Sequence, residues 1–243
     1  MPADLIVYAL VAAGLIVWLR SILGTRHGDE PERPAPYLKP EGQSGRMELP
    51  GPSRESKIGP EERIAELART PKGNISIANT ATELGLMEIA RADRTFDVDH
   101  FAQGAQDAFV YIVESFADGD RETLRDLLSP PVFAAFDEAI TARQQSGQTL
   151  HAEINAINKA ELVSAQIEGR FSKITVRFLA EEITYTKNAL GDVIEGHPER
   201  ITQMRDLWTF SRETKSRDPR WLVVATLIDT ESDNDTLPNS SSS

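Results

Sequence analysis

The sequence predicts an α+β domain, in which three helices cover one face of a curved antiparallel sheet, preceded by one transmembrane helix. Apolar residues recur with helical spacing over residues 101–140, and the period changes towards two after Gly147. Helices that precede a run of antiparallel strands are typical of α+β domains. An uncharged apolar run over residues 5–19 stands apart from this pattern and predicts the transmembrane helix.

The N-terminal apolar run is long enough to cross a membrane. Residues 5–23 would span about 28 Å as a helix, which is close to the hydrocarbon thickness of a bilayer. Arg20 and Arg26 follow the run and no basic residue precedes it, which predicts an N-terminus outside and a cytoplasmic C-terminal domain. The residues that we expect to hold the anchor in lipid include Leu5, Leu10, Leu15, Trp18 and Leu19.

Two other interpretations of this run are an export signal and a helix buried in a soluble core. An export signal carries basic residues before its apolar run and small residues at a cleavage site, and this sequence has neither. A lipoprotein anchor would need a cysteine, and the chain has none. We therefore predict that residues 1–26 form a single-pass membrane anchor.

The composition limits the choice of partners and predicts two disordered segments. The 243-residue chain has a net charge of −12, which makes nucleic acid an unsuitable partner because its phosphates need a basic surface. Residues 27–60 contain seven prolines and almost no large aliphatic side chain, which predicts a disordered, proline-rich tether. Residues 231–243 are polar and rich in serine, and we expect a disordered tail there.

Residues 61–95 predict two short helices. Pro60 suits the first position of a helix, and Glu61 and Glu62 suit its N-terminal turn. A second helix follows, and Gly85 interrupts its apolar stripe. Because such short stripes do not stabilise isolated helices, these helices pack on the domain, lie within the tether, or form a docking segment for a partner protein.

The predicted domain covers residues 96–230 and begins with three helices. The first presents an apolar face that includes Phe101 and Phe109. Gly119 suits a left-handed residue after a helix, and the aspartates on either side of it end the first helix and cap the second. The third helix is expected to start at Ser129 and Pro130 and to end before Gly147.

Five segments with alternating apolar residues follow the third helix and predict the strands of the sheet. They cover residues 149–157, 160–168, 170–185, 200–212 and 221–229. Turn residues separate several of them, at residues 188–191 and at Asp218 and Pro219.

Four segments stand in order over residues 96–229: FAQGAQDAFVYIVESFADGDRETLRDLLSPPVFAAFDEAI, ITVRF, DLWTFSR and PRWLVVAT. Together they resemble the Tim44-like domain family, which includes a mitochondrial inner-membrane translocase subunit and bacterial relatives. An apolar N-terminus with a proline-rich spacer is also similar to the bacterial TimA-type membrane-anchored adaptor proteins. The resemblance implies a nuclear transport factor 2-like (cystatin-like) cone and a non-enzymatic adaptor role at the bacterial cell inner membrane.

The resemblance also implies a large apolar pocket between the helices and the sheet. We expect its wide end to be lined by Phe116, Phe133, Phe136, Trp208 and Phe210. A contiguous apolar surface on an acidic protein is typical of a ligand or partner site. The expected occupant is a protein, of chaperone type or a component of translocation or membrane-protein biogenesis. A lipid or acyl chain and the chain's own stripes within residues 61–95 are the alternatives. Trp208, Phe210 and Trp221 form either an aromatic wall for a ligand or ordinary core.

An enzyme, or a small-molecule or lipid carrier, is the alternative function, because isomerases and dehydratases use the same cone. Asp206 alternates in phase with Trp208 and is the main candidate carboxylate, with Tyr185 and His151 as companions. Asp206 could also lie at an edge or outward, pair with Arg177 across the sheet, or contact a ligand. Because no phosphate loop, metal-ligand spacing or nucleophile elbow occurs, we expect no catalytic residue, no cofactor and no metal site.

Overall fold

The computed structural model describes residues 59–229 of the chain. The predicted anchor, nearly all of the predicted tether and the polar tail therefore lie outside the described residues. Within residues 59–229, no helix has both the length and the apolar character that crossing a bilayer requires.

Five helices and six strands make up the described part of the chain. The helices are α1 (Pro60–Arg69), α2 (Thr80–Ala92), α3 (Val98–Asp118), α4 (Arg121–Leu127) and α5 (Pro130–Gln145). The strands are β1 (Ile75–Ile77), β2 (Thr149–Glu168), β3 (Phe171–Lys187), β4 (Val193–Gly196), β5 (Thr202–Glu213) and β6 (Leu222–Ile228). The mixed α+β class is confirmed. The predicted number of three helices is wrong, because α1 and α2 join the same fold.

The strands form one sheet in the order β1-β2-β3-β5-β6, and β4 pairs with the end of β3. The neighbouring strands are antiparallel, except that β1 runs parallel to β2. The sequence predicts two strands over residues 149–168, whereas β2 is continuous and shifts register against β3 at three places. Such bulges absorb the irregular residues and bend the strand, so the sheet curves around the helices.

Helix α3 lies against the middle of the sheet. Asp97 caps its N-terminus by accepting the backbone N–H of His100, and Gly119 ends it in the left-handed conformation, with φ of 75°. The Phe109 ring stacks on Phe178 of β3 with centroids 4.5 Å apart, and it lies 4.9 Å from Trp208 of β5. All three aromatic side chains are buried, so α3 and the two central strands form the middle of the core.

The segment α1-β1-α2 shares this core. Its buried apolar side chains are Ile64, Leu67, Ile75, Leu86, Ile89 and Ala90. The Asn74 amide donates to the Ile157 carbonyl of β2 at 2.8 Å and to Gln106 Oε1 of α3 at 2.6 Å. The domain thus begins near residue 60, whereas the sequence places its start at 96. Most of the apolar side chains in residues 61–95 are covered by the sheet and by α3, whereas Leu84 is exposed.

Gly85 permits the close packing of α2 on β2. A Cβ atom at this position would lie 2.7 Å from the Ala165 carbonyl carbon and closer still to the carbonyl oxygen. Because both atoms belong to the backbone of β2, no side chain can rotate to make room. The helix runs through Gly85 without a break, so this glycine serves contact and does not interrupt the helix.

We therefore expect Gly85→Ala to lower the free energy of unfolding by about 2–4 kcal/mol, because α2 must move away from β2. The matched control is Gly104→Ala in α3, where an added Cβ meets nothing within 4 Å. Helix propensity should make that variant equal to or up to about 1 kcal/mol more stable than the parent. Urea denaturation measures both, and equal stability of the two variants would contradict the packing of α2 on β2.

Candidate functional site

The five aromatic residues predicted to line an open pocket occupy the interior of the fold. Phe116, Phe136, Trp208 and Phe210 are buried, and Phe133 is half-buried beneath the Arg125 guanidinium, 4.8 Å from its ring centroid. The Phe116 and Phe136 rings pack edge to face at 5.1 Å. These side chains pack against one another and against α3, so their main role in the structure is core packing. Phe210 also reaches an open cleft at the other end of the sheet.

This open cleft, the aromatic cleft, is walled by Phe96, Phe101, Phe210 and Trp221 and encloses about 450 Å³. Phe101 and Trp221 lie 4.8 Å apart between centroids, and Phe101 and Phe210 lie 5.8 Å apart. Gly104 of α3 also faces the cleft, and its missing side chain leaves that wall open. The cleft is thus a preformed apolar hollow with rigid aromatic walls.

A buried ion pair lies at the base of the aromatic cleft. Arg212, near the end of β5, pairs with Asp93, which caps the C-terminus of α2. Both side chains are more than nine-tenths buried, and the Arg212 guanidinium lies 5.5 Å from the Trp221 ring centroid. Burial lowers the pKa of Arg212 below its ordinary value. The pair therefore holds the connection between α2 and α3, and with it Phe96, against the sheet.

The rim of the aromatic cleft is polar and carries both charges. Asp97 and His100 line it from the start of α3, Asp126 lines it from α4, and Arg220 lines it from the loop before β6. Asp97 is paired with Arg63 of α1, so α1 also supports this rim. An apolar floor with a polar rim is typical of sites that bind a side chain or a small apolar group.

The candidate catalytic residues lie on opposite faces of the sheet. Asp206 pairs across the sheet with Phe178, so it shares the inner face, and it accepts a hydrogen bond from Trp208 Nε1 at 3.2 Å. Tyr185 pairs with His151, and their rings lie 4.8 Å apart on the outer face. The three residues predicted as a possible catalytic set are therefore not brought together. Arg177 pairs with Glu161 and Asp229, at 2.9 and 2.6 Å.

Glu182 is a buried carboxylate that the sequence analysis did not single out. It is 3% exposed, and its Oε2 atom has no hydrogen-bond partner among the described residues. Burial raises its pKa to about 7, and the nearby charge of Asp206 adds to the rise. Burial likewise raises the pKa of Asp206 to about 6. The position of Glu182, two residues after Ala180 on the inner face of β3, is the signal that could have identified this carboxylate.

The described residues hold no cluster of three or more histidine or acidic side chains that could bind a metal ion.

The fold and the aromatic cleft define an α+β domain with a preformed site for an apolar group. The model of the Tim44-like domain matches residues 82–228, and the chain belongs to the Tim44-like domain family. This match includes most of α2, in agreement with the packing of that helix on β2. The bacterial TimA-type subclass stays a prediction.

Among curated proteins, the chain is similar to the mitochondrial import inner membrane translocase subunit TIM44. The mouse protein is 27% identical over 135 residues, and the human protein is 24% identical over 135 residues. Each match covers 55% of this chain and 30% of the relative, so the chain spans about a third of the length of these relatives. The related part is thus a domain of a translocase subunit, consistent with a role in protein translocation.

Solved structures with a similar fold include the intermembrane space region of the chloroplast protein ARC6. It has a TM-score of 0.37 and 12% identity, over 52% of this chain and 95% of that one. A nuclear transport factor 2-like (NTF2-like) superfamily protein from Salmonella enterica has a TM-score of 0.33 and 10% identity, over 53% of this chain and 89% of that one.

Glu182 should make the stability of the domain depend on pH. Its pKa in the folded protein is about 7, above the ordinary value of 4.5, so folding favours the protonated form. The stabilisation of the folded state by protonated Glu182 is complete below about pH 4.5 and is lost as the pH rises through about 7. Glu182→Gln should therefore be about 2–3 kcal/mol more stable than the parent at pH 8 and similar to it at pH 4. Urea denaturation at both pH values measures this, and a pH-independent difference would contradict it.

Removal of one member of the Asp93–Arg212 pair should be more damaging than removal of both. Asp93→Leu leaves a buried guanidinium without its counter-charge, and we expect a loss of about 3–5 kcal/mol in the free energy of unfolding. Asp93→Leu combined with Arg212→Met removes both charges and should recover most of that loss. A double-mutant cycle by urea denaturation gives the coupling, and strictly additive losses would show that the pair does not act as a unit.

Proposed function

We propose that this protein is a non-enzymatic adaptor of the bacterial inner membrane, whose Tim44-like domain binds a protein or peptide partner in the aromatic cleft. The role would lie in protein translocation or membrane-protein biogenesis. The single observation that supports it best is the cleft itself, an open hollow of about 450 Å³ walled by fixed aromatic rings. Such hollows accept apolar side chains, which supply most of the binding energy at protein interfaces.

The relatives support the biological setting of this proposal. Their matched part is the domain that holds the cleft in this chain, and their names describe an import translocase subunit of the inner membrane. The apolar run over residues 5–19, with Arg20 after it, supports a single-pass anchor with the domain on the cytoplasmic side. In this arrangement, the anchor concentrates the cleft at the membrane surface and the domain selects the partner.

The second candidate function is an enzyme or a small-molecule or lipid carrier. The observation that favours it is Glu182, a buried carboxylate with a pKa of about 7 beside Asp206. The adaptor is the better-supported function because Tyr185 and His151, the groups that would assist such a carboxylate, lie on the other face of the sheet.

Gly104→Leu tests the adaptor function because it fills the cleft from its open wall. The new side chain meets empty space at its Cβ, and leucine favours a helix more than glycine does, so folding should be preserved or improved. We expect recovery of partner proteins with the detergent-solubilised chain to fall about fivefold or more, since the apolar hollow is occupied.

The control for this experiment is Gln103→Leu, which adds the same apolar group to the adjacent, exposed position of α3. It should leave partner recovery unchanged, as measured by quantitative mass spectrometry of the purified complexes. Equal recovery with Gly104→Leu and with the parent, with folding confirmed, would remove the aromatic cleft from the function.

A further inference from the structure

A group of exposed basic residues separates the aromatic cleft from a second hollow. Lys215, Arg217 and Arg220 lie on the loop between β5 and β6, and we call residues 215–220 the basic ridge. All three side chains are exposed, and in the described part of the chain no ion pair involves Lys215 or Arg217. This excess of positive charge stands out in a chain whose net charge is −12.

The second hollow lies beside the basic ridge, and we call it the small hollow. It encloses about 380 Å³, and its apolar lining consists of Pro130, Phe171, Leu222 and Val224. Phe171 is 38% exposed, and the Arg170 guanidinium lies over its ring, 5.2 Å from the centroid. Arg212 and Arg220 line both the small hollow and the aromatic cleft, so the two hollows meet at these arginines.

Arg220 is held in place at this junction. Asp218 accepts hydrogen bonds from Arg220 Nε at 3.0 Å and from Arg220 Nη2 at 2.8 Å. The Asp126 carboxylate lies 3.8 Å from Arg220 Nη1. The Arg220 guanidinium lowers the pKa of Asp218 to about 2, so this contact persists over the physiological pH range. The guanidinium thus occupies a defined place between the hollows, and Lys215 and Arg217 lie on the same loop.

We propose that the aromatic cleft, the basic ridge and the small hollow form one docking groove for an extended, acidic segment of a partner protein. This inference rests on the proposed function and specifies the chemistry of the partner. The segment has apolar side chains on both sides of an acidic residue. The apolar side chains enter the two hollows, and the carboxylate lies against Lys215, Arg217 and Arg220. Charge complementarity of this kind selects the partner and sets its orientation.

A protein segment fits this groove better than an anionic membrane does. Each basic residue near a bilayer contributes only about 1 kcal/mol. Glu213 and Asp218 also line the small hollow, but each is paired with an arginine. Among residues 59–229, Lys215 and Arg217 take part in no ion pair, so their charges are available to a partner in a strongly acidic chain. The apolar surfaces lie inside two hollows of about 450 and 380 Å³ and are not spread over a flat face. Recessed apolar sites of this size accept single side chains.

The test uses the full-length chain in detergent and a fluorescent peptide of about ten residues in which leucine and glutamate alternate, so that its extended form presents both groups. The comparison peptides replace glutamate by lysine, or leucine by serine. We expect the leucine-glutamate peptide to bind at least about tenfold more tightly than either comparison peptide, and its binding to weaken as salt is added.

Lys215→Glu with Arg217→Glu should weaken that peptide about tenfold or more, because the two cations become anions. The matched control is Arg69→Glu with Arg200→Glu, which changes the charge equally at exposed positions and should leave affinity within about twofold. Arg69 ends α1, and Arg200 precedes β5, at the opposite end of that strand from the ridge. Equal weakening by both double variants, or a preference for the lysine peptide, would overturn the proposal.

Two further outcomes separate this proposal from its alternatives. If anionic phosphatidylglycerol vesicles bind through the ridge and the acidic peptide does not, the surface recognises lipid and the proposal is overturned. If Gly104→Leu abolishes partner recovery while the ridge variant retains it and binds no acidic peptide, the adaptor function stands and the acidic-segment proposal is overturned.

Discussion

The buried ion pair between Asp93 and Arg212 joins parts of the molecule that are distant in the chain. Asp93 ends α2, and Arg212 stands near the end of β5, beside Trp221. A charge taken out of water is stable only with its partner, so the connection between α2 and α3 has one allowed position on the sheet. Phe96 lies in that connection. The Asp93–Arg212 pair therefore holds in place the wall of the aromatic cleft to which Phe96 belongs.

The inner face of β3 changes from apolar to polar along its length. Ile174, Val176, Phe178 and Ala180 are followed, at every second position, by Glu182, Thr184 and Thr186, and all seven are buried. The aromatic cleft lies at the apolar end, near Phe210, whereas the two carboxylates lie towards the polar end. The stacked rings of Phe109 and Phe178 fill the space between them. The aromatic cleft and the buried carboxylates therefore lie towards different ends of the same strand.

Much of the fold was readable from the sequence because local rules determined it. The left-handed Gly119, the helix start at Pro130 and the alternation along β3 each follow from neighbouring residues alone. The parallel pairing of β1 was not readable, since three residues carry no distinctive period and their partner lies about 85 positions later. The sequence predicts an interruption of α2 at Gly85, because the contact of this glycine with Ala165 is visible only in three dimensions.

The candidate site was less predictable than the fold. Periodicity identified Phe116, Phe136 and Trp208 as apolar and inward, but it could not tell a core position from a pocket wall, because both are inward. The aromatic cleft is open because α3 has no side chain at Gly104 and because Trp221 is only partly buried against the core. The sequence does not distinguish Glu182 from the adjacent Glu181, because only the phase of the strand separates the two. In the structure, Glu182 is buried, whereas Glu181 is half-buried and accepts a hydrogen bond from Asn158.

The parallel contact of β1 with β2 has a consequence for how the chain is made. Leu86 and Ile89 of α2 emerge from the ribosome before Ala160 and Leu162 of β2, with which β1 pairs. Until then their apolar faces have no sheet to cover them, and a nascent chain with such faces is prone to aggregation. The order of synthesis thus opposes the order of assembly. During that interval the apolar faces of α1 and α2 stay exposed to solvent.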